Sequence, residues 1–149
     1  MEESIDLATC LLRHARGSRC IIVDCLTAWI TNLVFADDPK ADIRTLFSEG
    51  PALYGHRTDL LSILHDLPGE IILVANDLGM SAVAGTALTR FVVDENGRFN
   101  QLIAAEAHHV ALMVAGCPLW IKRNSASPPS PVGLVSIPVR PARSNGEAL

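Results

Sequence analysis

The stretch Cys20–Thr27, CIIVDCLT, decides the fold. In it an apolar run ends at the carboxylate of Asp24, and apolar residues at nearly helical spacing follow at once. A buried parallel strand has this continuous apolar pattern, and α/β proteins bind ligands at the carboxyl ends of such strands. An acid there can hold Mg²⁺ or a ribose hydroxyl beside bound phosphates. The stretch therefore predicts an α/β sheet with Asp24 at its ligand-binding edge, although no glycine-rich phosphate loop precedes it.

The composition is that of one acidic, aliphatic domain. The chain has 149 residues, of which 49% are hydrophobic and 5% aromatic, and these numbers predict one aliphatic core. The net charge of −4 gives no electrostatic reason to bind nucleic acid or an anionic membrane surface. No signal-peptide pattern and no apolar run of about 18 residues is visible, so we expect a cytoplasmic protein without a membrane span.

The four cysteines show no CxxC spacing. Zinc and disulfide interpretations are therefore weak, and we expect reduced thiols in the core. Cys20 and Cys25 flank the predicted strand, where a small apolar side chain packs well.

Apolar strands alternate with amphipathic helices along the chain, a pattern typical of a parallel sheet covered on both faces. Strands are predicted at Arg19–Asp24, Glu70–Ala75 and Val110–Ala115, with a short edge strand over Cys117–Lys122. Helices are predicted at Ser4–Ala15, Leu26–Ala36, Ala41–Glu49, Arg57–Asp66, Ala84–Val92 and Phe99–Ala107. Ser4 and Thr58 are candidate caps, and Asp94–Gly97 is a turn signal between the last two helices. Residues 1–123 form the predicted domain, and the Pro- and Ser-rich residues 124–149 are predicted to be disordered.

Polar residues follow the first two predicted strands. Asp24 ends the first, and Asn76 and Asp77 follow the second, so all three share one edge of a parallel sheet. Two interpretations remain open for Asp24 and Asp77, which either contact a ligand or cap the helices that follow them. Gly79 either lets a backbone N–H approach an anion or makes a turn.

Two further polar groups lie later in the chain. Asn100 and Gln101 either contact polar atoms of a ligand or lie on a solvated helix face. The adjacent His108 and His109 are interpreted as surface residues, because neighbouring side chains on a helix or strand point apart and cannot chelate one metal ion.

Several segments resemble the bifunctional adenosylcobinamide kinase/adenosylcobinamide-phosphate guanylyltransferases of cobalamin biosynthesis. They are IIVDCLTAWITNLVF (Ile21–Phe35), ILVANDLGM (Ile72–Met80), RFVVDENGRFNQ (Arg90–Gln101) and GCPLWIK (Gly116–Lys122), the last similar to the closing strand of the family. The similarity is collinear from Glu2 to Lys122 and corresponds to roughly the C-terminal two-thirds of a family member.

The resemblance implies a RecA-like P-loop-type α/β fold, with a parallel sheet flanked by helices, and assembly into trimers. It implies an enzyme that phosphorylates adenosylcobinamide with ATP or GTP. That enzyme then transfers GMP from GTP through a guanylyl-histidine, giving adenosylcobinamide-GDP.

The resemblance also assigns site residues. Asp24 matches an acid that contacts the guanine nucleotide or its Mg²⁺, and Glu2 matches a second GTP-contacting acid 22 residues earlier. Other signature positions of the family match Asn76, Asp77, Gly79, Arg90, Asp94, Asn100 and Gln101.

The sequence departs from the family in its missing N-terminal portion. The G-x-x-x-x-G-K-S loop and the guanylylated histidine, which precede the position of Glu2 in the family, are not in these residues, and His14 stands in a different context. We therefore expect a homo-oligomer or a complementary N-terminal fragment as partner. The alternative is a non-catalytic nucleotide-binding or interaction subunit, or an inactive fragment.

Overall fold

The computed structural model of the chain describes residues 2–35, 52–80 and 85–123. Its elements are α1 (Leu7–His14), β1 (Cys20–Asp24), α2 (Leu26–Phe35), α3 (Ala52–Leu64), β2 (Glu70–Val74), a 3₁₀ turn (Leu78–Met80), α4 (Ala87–Glu106), β3 (His109–Val114) and β4 (Cys117–Arg123). The chain divides into two units between Ala107 and His108. No helix among these elements is long and apolar enough to cross a membrane. The predicted helix Ala41–Glu49 and the predicted tail 124–149 lie outside the described residues.

The described strands form two pairs. In the first unit β1 and β2 are parallel, with Cys20 opposite Glu70 and Asp24 opposite Val74. In the second unit β3 and β4 are antiparallel, and Ala115 and Gly116 connect them with φ angles of 51° and 79°. Two consecutive residues with positive φ form the type I′ turn that suits a tight hairpin. The α/β class is confirmed, as is the parallel pairing of the first two predicted strands, and the edge strand predicted over Cys117–Lys122 is β4, which this turn places antiparallel to β3.

Within the described residues, the packing against the core is seen on one face of β1. Ile21 and Val23 pack against the core, whereas Ile22 is 44% exposed. Cys20 lies on the exposed side of the same alternation, and Cys117 in β4 is also exposed. The four cysteines are free, and the expectation of core thiols is wrong for these two.

The core of the first unit is built from helices packed on one side of the β1–β2 pair. Its buried members are Leu7, Leu11, Leu26, Trp29, Ile30, Leu33, Val34, Leu53, Leu60, Phe91, Phe99 and Ile103. Trp29, expected in the core, is 4% exposed, and its Nε1–H donates to the carbonyl oxygen of Ile5 at 2.8 Å. The indole therefore fills the core while its one polar group is paired.

Two predicted helix caps differ from the observed ones. Asp6, not Ser4, caps α1, and its Oδ1 accepts from the N–H of Thr9 at 3.2 Å. Thr58 lies inside α3 rather than at its start, and its hydroxyl donates to the carbonyl oxygen of Tyr54 at 2.8 Å. Helix α1 therefore begins later than predicted, and α3 begins earlier.

Helix α4 runs without interruption through Asp94–Gly97, where the sequence predicted a turn. Glu95 and Asn96 are each only 1% exposed. The carboxylate of Glu95 accepts hydrogen bonds from Arg57 and from Arg98. These contacts offset the poor helix propensity of a D-E-N-G segment, which local pattern alone assigns to a turn.

Candidate functional site

The parallel register places the ends of β1 and β2 side by side. Asp24 pairs with Val74, so the residues after β2 begin next to the carboxylate of Asp24. Asp24, Asn76 and Asp77 are all exposed at this edge. The structure therefore brings the three polar residues singled out from the sequence to one edge of the sheet, where α/β proteins bind ligands.

The carboxylate of Asp24 does not cap α2. Cys25 takes the capping position, since its Sγ accepts from the N–H of Ala28 at 3.4 Å. The carbonyl oxygen of Cys25 accepts from the N–H of Trp29 at 3.2 Å. Within the described residues the Asp24 carboxylate makes no hydrogen bond, so its oxygens remain available to a ligand.

Asp77 behaves differently from Asp24. Its Oδ1 accepts from the N–H of Gly79 at 3.1 Å, and its carbonyl oxygen accepts from the N–H of Met80 at 3.3 Å. A Cβ at Gly79 would come within 3.2 Å of that Oδ1. The local turn therefore accounts for both residues, because the N–H of Gly79 that could have met an anion already bonds to Asp77.

Three side chains hold the backbone of Asn76. The hydroxyl oxygen of Thr27 accepts from the N–H of Asn76 at 2.9 Å. The carbonyl oxygen of Asn76 accepts from Nδ2 of Asn96 at 2.9 Å and from Nδ2 of Asn100 at 3.2 Å. The position of the segment after β2 is thus set by α2 and α4.

Glu2 and Asp24 line the same cavity of about 250 Å³, together with residues of α1 and β1. Both are exposed. The neighbouring Glu3 also lines it, but its carboxylate accepts from the N–H groups of Ile5 at 2.9 Å and Asp6 at 2.8 Å. These two bonds lower the pKa of Glu3 below its ordinary value. Glu3 therefore has a structural role at the start of α1. The other two acids that line the cavity are Glu2 and Asp24.

The signature positions of α4 divide between the site and the helix surface. Asn100 is half-buried and bonds to Asn76. Arg90, Asp94 and Gln101 are exposed. Among these four residues, a hydrogen bond to the segment that follows β2 is described for Asn100.

Two residues of the site were missed by sequence reasoning. Thr27 was treated as part of an apolar helix, and Asn96 as part of a turn. The available signal was the spacing of Asn96 and Asn100, since residues four apart lie on one face of an uninterrupted helix.

The comparisons with known proteins identify the family of the chain. The family described as cobinamide kinase / cobinamide phosphate guanyltransferase matches residues 1–121. The chain belongs to this family. The resemblance drawn from the sequence motifs is therefore confirmed.

Three curated relatives carry names from the same biosynthesis. Bifunctional adenosylcobalamin biosynthesis protein CobP of Pseudomonas aeruginosa is 42% identical over 122 residues, covering 82% of this chain and 64% of the relative. Bifunctional adenosylcobalamin biosynthesis protein CobU of Escherichia coli is 32% identical over 104 residues, covering 68% and 58%. The protein of the same name from Salmonella typhimurium is 33% identical over 106 residues, with the same coverage. The chain thus spans less than two-thirds of the length of these relatives.

Proposed function

We propose that this family member binds a guanine or adenine nucleoside triphosphate at the edge where β1 and β2 end, as part of adenosylcobalamin biosynthesis. Asp24 contacts the ribose or the nucleotide-bound cation, and Glu2 is the second acidic contact in the same cavity. The observation that carries the proposal is the Asp24 carboxylate, which lies at the carboxyl edge of a parallel pair and caps no helix.

The acids at this edge fit a cation that arrives with the nucleotide. No group of three or more His, Cys, Asp or Glu side chains within residues 2–35, 52–80 and 85–123 is placed to hold a metal ion by itself. Mg²⁺ is commonly bound by one or two carboxylates together with substrate phosphates, so Asp24 suffices as the protein ligand. When bound, Mg²⁺ would neutralise charge on the phosphates.

The reaction of the full active site is kinase and guanylyltransferase chemistry on adenosylcobinamide. In the first step a substrate hydroxyl oxygen bonds to the γ-phosphorus of ATP or GTP and its proton is released. The bond from the γ-phosphorus to the bridging oxygen breaks, and the nucleoside diphosphate leaves with that oxygen. In the second step GMP is transferred from GTP to the new phosphate, and pyrophosphate is released. The phosphate loop, the guanylylated histidine and the RecA-like completion of the sheet belong to sequence outside these residues.

A second candidate is a non-catalytic nucleotide-binding or interaction subunit. The observation behind it is that Asp24 and Glu2 line one cavity, and two acids can contact a bound nucleotide without transferring a group. Such a subunit would keep the contacts of Asp24 and Glu2 with the nucleotide but would perform no transfer.

Two measurements separate these candidates. Calorimetric titration of the purified chain with Mg-GTP tests binding, and mass spectrometry after addition of adenosylcobinamide tests turnover. The chain is assayed alone and mixed with the part of the Pseudomonas aeruginosa relative that it does not cover. We expect binding by the chain and product in the mixture. Binding without product in the mixture favours the second candidate, and no binding in either preparation contradicts both.

A further inference from the structure

The backbone of Asn76 has both of its hydrogen-bonding groups engaged by side chains from two helices. Thr27 of α2 accepts from its N–H, and Asn96 and Asn100 of α4 donate to its carbonyl oxygen. Since a carbonyl oxygen only accepts, the atom of Asn96 that faces it must be Nδ2, and Oδ1 of Asn96 points elsewhere.

The burial of Asn96 is hard to explain by stability alone. Asn96 is 1% exposed, and its Oδ1 is buried without a hydrogen-bond partner in the described part of the chain. A leucine of similar size would leave no polar atom unpaired at this position, and burying an unpaired polar atom is unfavourable. The contact that requires an amide here is the bond to Asn76.

The turn of α4 that carries Asn96 is fixed on both sides. Glu95 is ion-paired with Arg57 and Arg98, and its side chain is 1% exposed. The ring of Phe99 packs against Trp29 of α2, with the ring centroids 5.6 Å apart. Because α2 also carries Thr27, the two helices that hold Asn76 are packed against each other.

We propose that Asn96 is a positioning residue that acts through Asn76. By fixing the carbonyl group of Asn76, it sets the direction in which the segment Asn76–Gly79 leaves β2 beside Asp24. A binding site needs its contacting groups held to within roughly half an ångström, and such support comes from buried hydrogen bonds. This assignment rests on the proposed nucleotide site and names the residue that shapes one wall of it.

The test compares Asn96→Leu with Phe99→Leu. Asn96→Leu removes the bond to Asn76 and also the unpaired Oδ1, so we expect a melting temperature close to that of the unsubstituted chain. We expect its Mg-GTP dissociation constant to rise about tenfold or more, because the site is no longer preorganised. Phe99→Leu alters the same buried turn without removing a hydrogen bond to Asn76, and should lower the melting temperature while changing the dissociation constant less than about twofold.

A second readout does not depend on nucleotide binding. In amide NMR spectra without ligand, Asn96→Leu should shift the signals of Asn76 to Gly79, whereas Phe99→Leu should leave that segment largely unshifted. If Asn96→Leu binds Mg-GTP normally and leaves those signals in place, the positioning role is wrong. It is also wrong if, in both variants, the loss of Mg-GTP affinity is simply proportional to the loss of melting temperature. If the unsubstituted chain fails to bind Mg-GTP but the shift occurs, the proposed function fails and the structural part of the assignment stands.

Discussion

The hydroxyl oxygen of Thr27 accepts a hydrogen bond from the N–H of Asn76 at 2.9 Å, joining the first turn of α2 to the segment after β2. Thr27 is 8% exposed. Replacing it with valine keeps the shape but removes this part-buried hydrogen bond, and a typical intramolecular hydrogen bond contributes about 0.5–1.5 kcal/mol. We expect urea unfolding of Thr27→Val to show a loss within this range.

Thr58→Val is the matched control for that substitution. The hydroxyl of Thr58 bonds to the carbonyl oxygen of Tyr54 on the exposed face of α3, where water can replace the lost bond. We expect its free energy of unfolding to change by less than about 0.5 kcal/mol. Equal losses of unfolding free energy in the two variants would mean that the Thr27–Asn76 bond contributes no more to stability than the exposed Thr58–Tyr54 bond.

The ion pair between Arg57 and Glu95 is expected to contribute more to the free energy of unfolding than the pair between Arg98 and Glu95. The side chains of Arg57 and Glu95 are 9% and 1% exposed, whereas that of Arg98 is 66% exposed. Arg57→Ala leaves a buried carboxylate with one exposed partner and should cost about 3 kcal/mol or more. Arg98→Ala should cost less than about 1 kcal/mol. Chemical denaturation distinguishes the two, and a reversed order would contradict the buried arrangement.

Gly97 tests whether α4 is continuous. It lies inside the helix, and a Cβ there would meet nothing within 4 Å. Gly97→Ala should therefore stabilise the chain by about 0.5–1 kcal/mol, because alanine is the better helix former. Thermal unfolding measures the change, and a loss of stability would instead support a turn at Asp94–Gly97.

Gly69→Ala provides the contrasting case. Gly69 has φ of 90°, and a Cβ would lie 2.3 Å from the carbonyl oxygen of Arg16. The same substitution that helps at Gly97 should therefore be destabilising here.

The start of α1 should make stability sensitive to acid. Hydrogen bonds from the N–H groups of Ile5 and Asp6 lower the pKa of Glu3, and bonds from the hydroxyl and N–H of Thr9 lower the pKa of Asp6. A carboxyl whose folded-state pKa is lowered stabilises the fold above its unfolded-state pKa, and this is lost as pH falls through the folded-state value. The effect should therefore be present at neutral pH and decline from about pH 5 downward.

Glu3→Gln measures this contribution directly. Its melting temperature should lie below that of the unsubstituted chain at pH 7, and the difference should shrink as the pH approaches 3. Asp66→Asn, an exposed carboxylate without a described side-chain bond, is the control. A difference that grows toward low pH would contradict the sign of the pKa shift.

Continuous apolar runs were enough to predict β1 and β2, and apolar residues at nearly helical spacing were enough to predict α2, because burial of aliphatic side chains dominates these segments. The continuity of α4 was not predictable in this way. Glu95 and Asn96 are stabilised by partners far away in sequence, Arg57 and Asn76, which no local window contains. Both strands of the β3–β4 hairpin were predicted, but their antiparallel pairing was not, since an A-G turn carries a weaker hairpin signal than N-G or D-G.

The candidate site also has features that the sequence predicted and features that it could not predict. Asp24, Asn76 and Asp77 follow from where the strands end, and a parallel sheet places such residues at one edge. The spacing could not show which of the carboxylates of Asp24 and Asp77 is left without a hydrogen bond to the backbone. That depends on the Sγ of Cys25, which caps α2, and on the N–H of Gly79, which bonds to Asp77.

The most direct test of the account is calorimetric titration of Asp24→Asn with Mg-GTP, beside the unsubstituted chain and Asp66→Asn. Asp66 precedes β2 and lies far along the chain from the edge where β1 ends. Hydrogen bonds to charged groups contribute about 1.5–3 kcal/mol, and tenfold in affinity corresponds to about 1.4 kcal/mol. The account predicts at least about tenfold weaker binding for Asp24→Asn and unchanged binding for Asp66→Asn. Equal affinity of Asp24→Asn and the unsubstituted chain would contradict it.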